Sequence, residues 1–253
     1  MNFNKKTILI TGASSGIGYG LARAFTGEKC NLVLLARRKN LLDELADSLK
    51  ESGSRILILK CDVTNKEEVK SSINEALNYF ENIDIAVLNA GIGRNTSVHH
   101  LNSEDVKDIF NVNVLGVINF LEFLIPEFIK NKKGMIVGIS SLADTRGFAK
   151  TGAYCASKAA LSIFLESIRI ELKKYGVKVL TVKPGFVHTP MTDKNDFEMP
   201  FIINLDKAVK IILKGIKKEK RIIQFPLPTV IGAKALKLLP DSFFEYLSWK
   251  GLL

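Results

Sequence analysis

The stretch KTILITGASSGIG, residues 6–18, decides the fold. Thr7 to Ile10 is a short β-branched and leucine-rich run, the composition of a strand buried on both faces. It breaks at Thr11-Gly12 into a glycine-rich turn. Beyond Gly18 the pattern becomes helical, with Ile17, Leu21, Ala24 and Phe25 on one face. A strand, a glycine turn and a helix N-terminus in that order gather unpaired backbone N–H groups and the positive end of a helix dipole, which suits a pyrophosphate. Gly12, Gly16 and Gly18 would serve the tight turn, the close approach of backbone to phosphate, and the packing of helix on strand. The spacing differs from the GxxxxGK[ST] loop of nucleotide triphosphatases, and no lysine follows Gly18.

The chain has 253 residues, enough for one open α/β sheet with a single core. Hydrophobic residues at 47% and charged residues at 25% give an ordinary globular balance and argue against disorder. The net charge of +10 comes without a long basic run or aromatic-basic alternation. Its densest cluster, Lys214 to Arg221, reads as a solvated helix face, so no nucleic acid partner is expected. Cys30, Cys61 and Cys155 lie far apart and odd in number, which suggests reduced thiols and a cytoplasmic setting. A first strand starting by about residue 6 leaves no room for a signal peptide, and no uninterrupted apolar stretch of membrane-spanning length exists. His99-His100 in the polar loop 92–101 lacks helical spacing and partners, so no metal site is expected.

The pattern continues as alternating strands and helices. Strands are expected at 31–36, 55–60, 84–88, 134–139, 177–183 and 221–225. Helices are expected at 39–51, from a Thr64 cap to about 80, from an Asn102 cap to about 130, through 154 to about 175, and at 205–218. Such alternation forces crossovers, hence a single-domain, doubly wound parallel sheet of Rossmann type flanked by helices, with any cofactor along the carboxyl ends of the strands. The second strand is followed by Arg37-Arg38, where a NAD-binding unit would place an acid for the ribose. An arginine fork suits a 2′-phosphate, so NADP(H) is expected in preference to NAD(H).

Several short motifs fall at those strand ends. Residues 11–18 read TGxxxGxG, Asn89-Ala90-Gly91 follows the fourth strand, and Asn113-Val114-Leu115-Gly116 reads NVxG. Ser140-Ser141 closes the fifth strand, Tyr154 comes thirteen residues beyond Ser141 with Lys158 four later, and Pro184-Gly185 closes the sixth. Together they resemble the short-chain dehydrogenase/reductase family over residues 6–189, with Leu88 standing where the family's NNAG has its first Asn. Tyr246 and Lys250 repeat the tyrosine–lysine spacing, but without a serine thirteen residues before or a Pro-Gly strand after.

The resemblance implies a catalytic tetrad of Asn113, Ser141, Tyr154 and Lys158. Ser141 would bond the substrate oxygen, and Tyr154 would act as general acid in reduction and base in oxidation. Lys158 would lower the tyrosine pKa by its charge and hold the nicotinamide ribose. It also implies cofactor contacts from Gly12, Ser14, Ser15, Gly16, Ile17, Gly18, Arg37, Arg38, Asp62, Val63, Asn89, Ala90, Gly91, Tyr154, Lys158, Pro184, Gly185, Val187 and Thr189. Asp62 would accept from the adenine amino group, or else close a turn.

One departure lies beside this set: the family often continues its serine as SSxxG, whereas Asp144 replaces the glycine; an extra acid there would bias the substrate or cap a turn, and the turn cap is the expectation. Residues 190–253 form the less familiar part. In 190–203, Phe197, Met199 and Phe201 suggest a mobile segment over the site and a hydrophobic carbonyl or alcohol substrate. The tail from Pro226, with Ile231, Leu236, Leu239, Phe243, Phe244, Leu247 and Trp249 among lysines, is amphipathic. A subunit interface in a homo-oligomer, a cover for the fold, or peripheral contact with a membrane are its three readings. A non-catalytic NADP(H) sensor and a sugar-nucleotide epimerase are the alternatives. A sensor has no need of Tyr154, and the region after Thr189 is short for an epimerase.

Overall fold

The computed structural model describes residues 1–195 and 197–251. Seven parallel strands pair in the order β3-β2-β1-β4-β5-β6-β7, where β1 is Thr7–Thr11, β2 Asn31–Ala36, β3 Ile56–Lys60, β4 Ile85–Leu88, β5 Gly134–Ile139, β6 Val177–Pro184 and β7 Ile222–Phe225. The order reverses between β1 and β4, which opens a crevice at their carboxyl ends. Each strand reads as a nearly unbroken apolar run because both sheet faces are covered. Along β1, Ile8 and Ile10 pack on one layer and Leu9 on the other.

The first layer holds helices α1 (Gly16–Thr26), α2 (Lys39–Ser48) and α7 (Leu205–Lys217); the second holds α3 (Lys66–Phe80), α5 (Gly116–Lys130) and α6 (Gly152–Leu172). Gly138 of β5 lets α6 settle close, since a Cβ there would stand 2.3 Å from Leu165 Cδ1. At the opposite edge of the sheet Asp84 accepts from Lys6 Nζ at 2.8 Å and from the Thr7 amide at 3.0 Å, tying the starts of β1 and β4.

Two expectations are corrected. Asn65, not Thr64, caps α3: its side chain accepts from the Glu67 and Glu68 amides, while the Thr64 hydroxyl donates to Asp62 Oδ1. The single helix expected over 102–130 is α4 (Ser103–Phe110), a π-turn over Asn111–Leu115, then α5. The stretch Ser103–Lys130 is long and apolar enough to cross a membrane by length and composition, yet Phe120, Leu121, Leu124 and Phe128 are buried on the sheet. The tail is two short helices, α8 (Leu227–Leu238) and α9 (Asp241–Trp249).

Candidate active site

The glycine turn is held as the sequence requires. Gly12 and Gly16 sit at φ 65° and 57°, in the left-handed region. A Cβ on Gly12 would stand 2.9 Å from Ala90 Cα, and one on Gly18 2.5 Å from Gly12 O. Asn89 Nδ2 donates to Thr11 O and Gly12 O at 3.0 and 3.2 Å, and Thr11 Oγ1 accepts from the Asn89 and Ala90 amides. The ends of β1 and β4 are therefore locked together under the turn. Ser15 precedes α1 in extended conformation with no side-chain cap, leaving the helix N-terminus facing the crevice. Ile17, by contrast, packs its side chain on the core, so only its backbone faces the turn.

The two arginines after β2 separate. Arg38 donates to Ser14 Oγ at 3.0 Å and Ser15 Oγ at 2.9 Å, which lays its guanidinium beside the turn. Arg37 is exposed and pairs loosely, at 3.8 Å, with Asp62. Asp62 in turn accepts from the Thr64 amide and hydroxyl, so its carboxylate closes a turn. Val63 is buried under Gly116, and its carbonyl accepts from Asn119 Nδ2 of α5 at 2.9 Å, which binds the exit of β3 to that helix.

Asn113, fully buried in the π-turn, exchanges hydrogen bonds with the Ile92 backbone at 2.8 and 2.9 Å and donates to Ser157 Oγ at 3.0 Å. Its Oδ1 and Lys158 Nζ both look into the space that Gly91 leaves: a Cβ on that glycine would stand 3.2 Å and 3.3 Å from them. Lys158 is buried at the second turn of α6 and donates to Ile139 O at 2.9 Å. Tyr154, one turn earlier, has its ring 5.8 Å from Lys158 Nζ and 3.5 Å from the Cβ position of Gly93. Ser141 Oγ accepts from the Ala143 amide at 3.1 Å and leans on Pro184 O at 3.4 Å.

Burial governs the proton chemistry here. It pushes the Tyr154 phenol above its ordinary value, offset in part by a hydrogen bond with Ser141. It pushes the Lys158 ammonium down to about 8. The expectation that Lys158 lowers the tyrosine is therefore corrected for the protein alone: loss of water around the phenol is the largest influence on it, and the charge that acts on it beside Cys155 is Asp144. The two groups stay one helical turn apart, and the lysine sheds its proton near pH 8 rather than 10.5.

Pro184-Gly185 and Val187-Thr189 close the far wall. Gly185 N donates to Phe225 O at 2.7 Å, and a Cβ there would meet Pro226 and Thr229 of the tail. Thr192 Oγ1 donates to Val187 O at 2.7 Å, while Thr189 Cγ2 lies 3.5 Å from the Cβ position of Gly16 and so reaches across to the turn. Phe197 packs edge-on against Phe186 with ring centroids 6.0 Å apart, yet both it and Phe201 are exposed. Of the segment 190–203, Asp196 lies outside the described residues.

Three features escaped the sequence. The π-turn around Asn113 has no periodicity signature of its own. Arg146 donates to Leu236 O and Leu239 O, pairs with Asp241 at 2.5 Å and stacks on Phe244, clamping the tail to the loop after Ser141. Lys183 reaches Asp144 at 2.6 Å, and Asp144 is buried, so the expected turn cap is a buried ion pair. The misfit of Asp144 in the SSxxG pattern was the only signal for it.

A protein-family model described as short chain dehydrogenase matches residues 6–199. An uncharacterized oxidoreductase of Myxococcus xanthus is 36% identical over 240 residues, covering 95% of each chain. Among solved structures, a short-chain dehydrogenase/reductase of Burkholderia phymatum in complex with NAD superposes with a TM-score of 0.86 at 22% identity, covering 92% of this chain and 93% of that one. A short-chain dehydrogenase of Sphingobium yanoikuyae in complex with NADPH superposes at 0.81 with 26% identity, covering 94% and 97%.

Proposed function

The chain belongs to the short-chain dehydrogenase/reductase family, and from that premise we propose that it is an NADP(H)-dependent reductase of hydrophobic carbonyls, or dehydrogenase of the matching secondary alcohols. Oxidoreductase chemistry on alcohol or carbonyl groups with a nicotinamide cofactor follows from the family; the dinucleotide preference and substrate class are our reading. The observation that carries it is the convergence of Ser141, Tyr154, Lys158 and Asn113 on the space beside Gly91 and Gly93.

The residues present fit the cofactor. Glycines at 12 and 18 let the turn close tightly on Ala90, Asn89 and itself, and Gly16 leaves the space opposite Thr189 open at a helix N-terminus that no side chain caps. In this reading the turn from Ser14 to Gly18 holds the pyrophosphate, Val63, Asn89, Ala90 and Gly91 line the adenosine side and strand exits, and Lys158 bonds the nicotinamide ribose. Pro184, Gly185, Val187 and Thr189 would hold the nicotinamide end. The bound nicotinamide supplies or accepts the hydride. Ser141 donates to the substrate oxygen, and Tyr154 delivers the proton that the oxygen needs, with Lys158 replenishing it. Asn113 holds the Ile92 backbone and the start of α6 in place.

Arg38 supports the phosphorylated dinucleotide, because its Nη2 donates to both Ser14 and Ser15 and so brings a guanidinium beside the turn. Phe186, Phe197 and the tail clamped by Arg146 support an apolar substrate wall. Exposed Ile163 and Ile170 on α6, together with Phe243, Tyr246 and Trp249 on α9, support self-association. Three buried free cysteines support a reducing, cytoplasmic location.

The test is NADPH consumption across aliphatic, aromatic, steroid-like and acyl carbonyls, beside Tyr154→Phe. Turnover that vanishes in the variant establishes the reading and names a substrate class. NADPH binding with no turnover on any of them would favour a sensor.

A further inference from the structure

We propose that Asp144 and Lys183 are a positioning pair for the acid–base residues: their buried ion pair fixes the turn that carries Ser141 against α6 and balances the charge beside Tyr154 and Lys158. This rests on the reading of Tyr154 and Lys158 given above.

The geometry is a chain of contacts from the serine turn to the lysine helix. Lys183 Nζ lies 2.6 Å from Asp144 Oδ2, with side-chain exposures of 19% and 4%. The same carboxylate oxygen accepts from Ser162 Oγ, one turn beyond Lys158. Ser162 Oγ is 2.8 Å from Ser140 Oγ, which donates to the Lys158 carbonyl at 3.0 Å. Asp144 stands three residues after Ser141, and Lys183 immediately precedes Pro184, the carbonyl on which Ser141 leans. One carboxylate thus ties together the turn after β5, the helix α6 and the end of β6, the three elements that carry the proposed chemistry.

Such a pair is not there for stability. Taking two ions out of water costs several kcal/mol each after relaxation, and replacing a buried pair by apolar groups is often neutral or stabilising. Glycine would do for a plain turn here. What the pair adds is a fixed charge. The groups around Asp144 are Lys183 on β6, the neighbouring Thr145 hydroxyl, and Ser162, Tyr154 and Lys158 on α6. Arg146, two residues on, is committed to Asp241 and the tail carbonyls. The carboxylate disfavours the Tyr154 phenolate and favours the Lys158 ammonium. Lys183 lies 2.6 Å from that carboxylate, so the net field at the tyrosine depends on the pair remaining intact.

The sign of each variant follows. Asp144→Asn keeps an acceptor for Ser162 but removes the negative charge and leaves Lys183 unopposed, so the tyrosine ionises more readily. Lys183→Met leaves the carboxylate uncompensated, so it ionises less readily. The experiment is the pH profile of alcohol oxidation by the full-length protein with saturating NADP⁺, where rate rises as Tyr154 loses its proton. The midpoint should move down in Asp144→Asn and up in Lys183→Met, each by about half a pH unit or more. Lys183→Arg, which keeps the cation, should restore the parent midpoint.

Profiles that superimpose on the parent, or that move in the same direction in both variants, would overturn the proposal even where melting temperature falls. Tyr154→Phe run alongside separates the two readings. If that variant still turns over, the assignment of Tyr154 fails. If it is inactive while the pair variants keep the parent midpoint, only the pair fails.

Discussion

Tyr154 and Lys158 have a twin in the same chain. Tyr246 and Lys250 share the four-residue spacing, and their ammonium-to-ring distances are nearly equal, 5.8 Å and 5.9 Å. Local geometry is therefore the same in both, because one helical turn produces it. The surroundings are not. Lys158 is buried and donates to the end of β5, with Ser141 and Asn113 close by. Tyr246 is 53% exposed on α9, and Lys250 stacks instead on Trp249 at 4.7 Å. Spacing supplies a pair; the strand ends supply a site.

The contrast breaks first at the tyrosines. Tyr154→Phe should lower carbonyl reduction by about 10²- to 10⁴-fold, the usual worth of a positioned proton donor, while Tyr246→Phe should stay within about twofold under the same reasoning. Equal losses, measured as NADPH consumption, would remove the role assigned to burial.

The neighbouring arginines offer the next test of one residue type in two settings. Arg38→Glu should weaken NADPH binding by about 10- to 100-fold through the lost charge-assisted bonds, with a much smaller change for NADH. Arg37→Glu, on the solvent side and facing Asp62, should do less. Binding isotherms for both dinucleotides check this, and a larger effect at Arg37 would return the discrimination to the residue that the ribose-contact position alone suggests.

Lys158 also ties folding stability to pH. Lys158 falls from an ordinary 10.5 to about 8 in the folded protein, so between those values the unfolded chain binds more protons and stability rises with pH. Melting temperature should carry that rising component between pH 8 and 10, and Lys158→Met should remove it. The smallest effect is expected at the start of α3, where Asn65→Ala should cost about 1 kcal/mol by denaturant titration, and Thr64→Ala less.

What the sequence made legible was what repeats. Apolar runs and their alternation with helices marked all seven strands, and the motif residues fell at one edge because a parallel sheet leaves no other place for loop chemistry. What it concealed depends on residues distant in sequence. Nothing near Lys183 announces that it lies against Asp144, and Arg146 acquires its meaning only from the carbonyls of α8. The pKa directions of Tyr154 and Lys158 were concealed too, since a spacing rule counts neighbouring charge and not lost solvent.

The π-turn over Asn111–Leu115 makes the chain's length between two walls a matter of rotation. Ile109 and Phe128, both buried, are nineteen residues apart, which in plain α-helix leaves them about 100° out of phase. One surplus residue wound into the wider turn absorbs that angle. Deleting a single residue there would shorten nothing important. It would instead act as a key turned by about 100°, swinging either Asn113 away from Ile92 or the whole apolar stripe of α5 off the sheet.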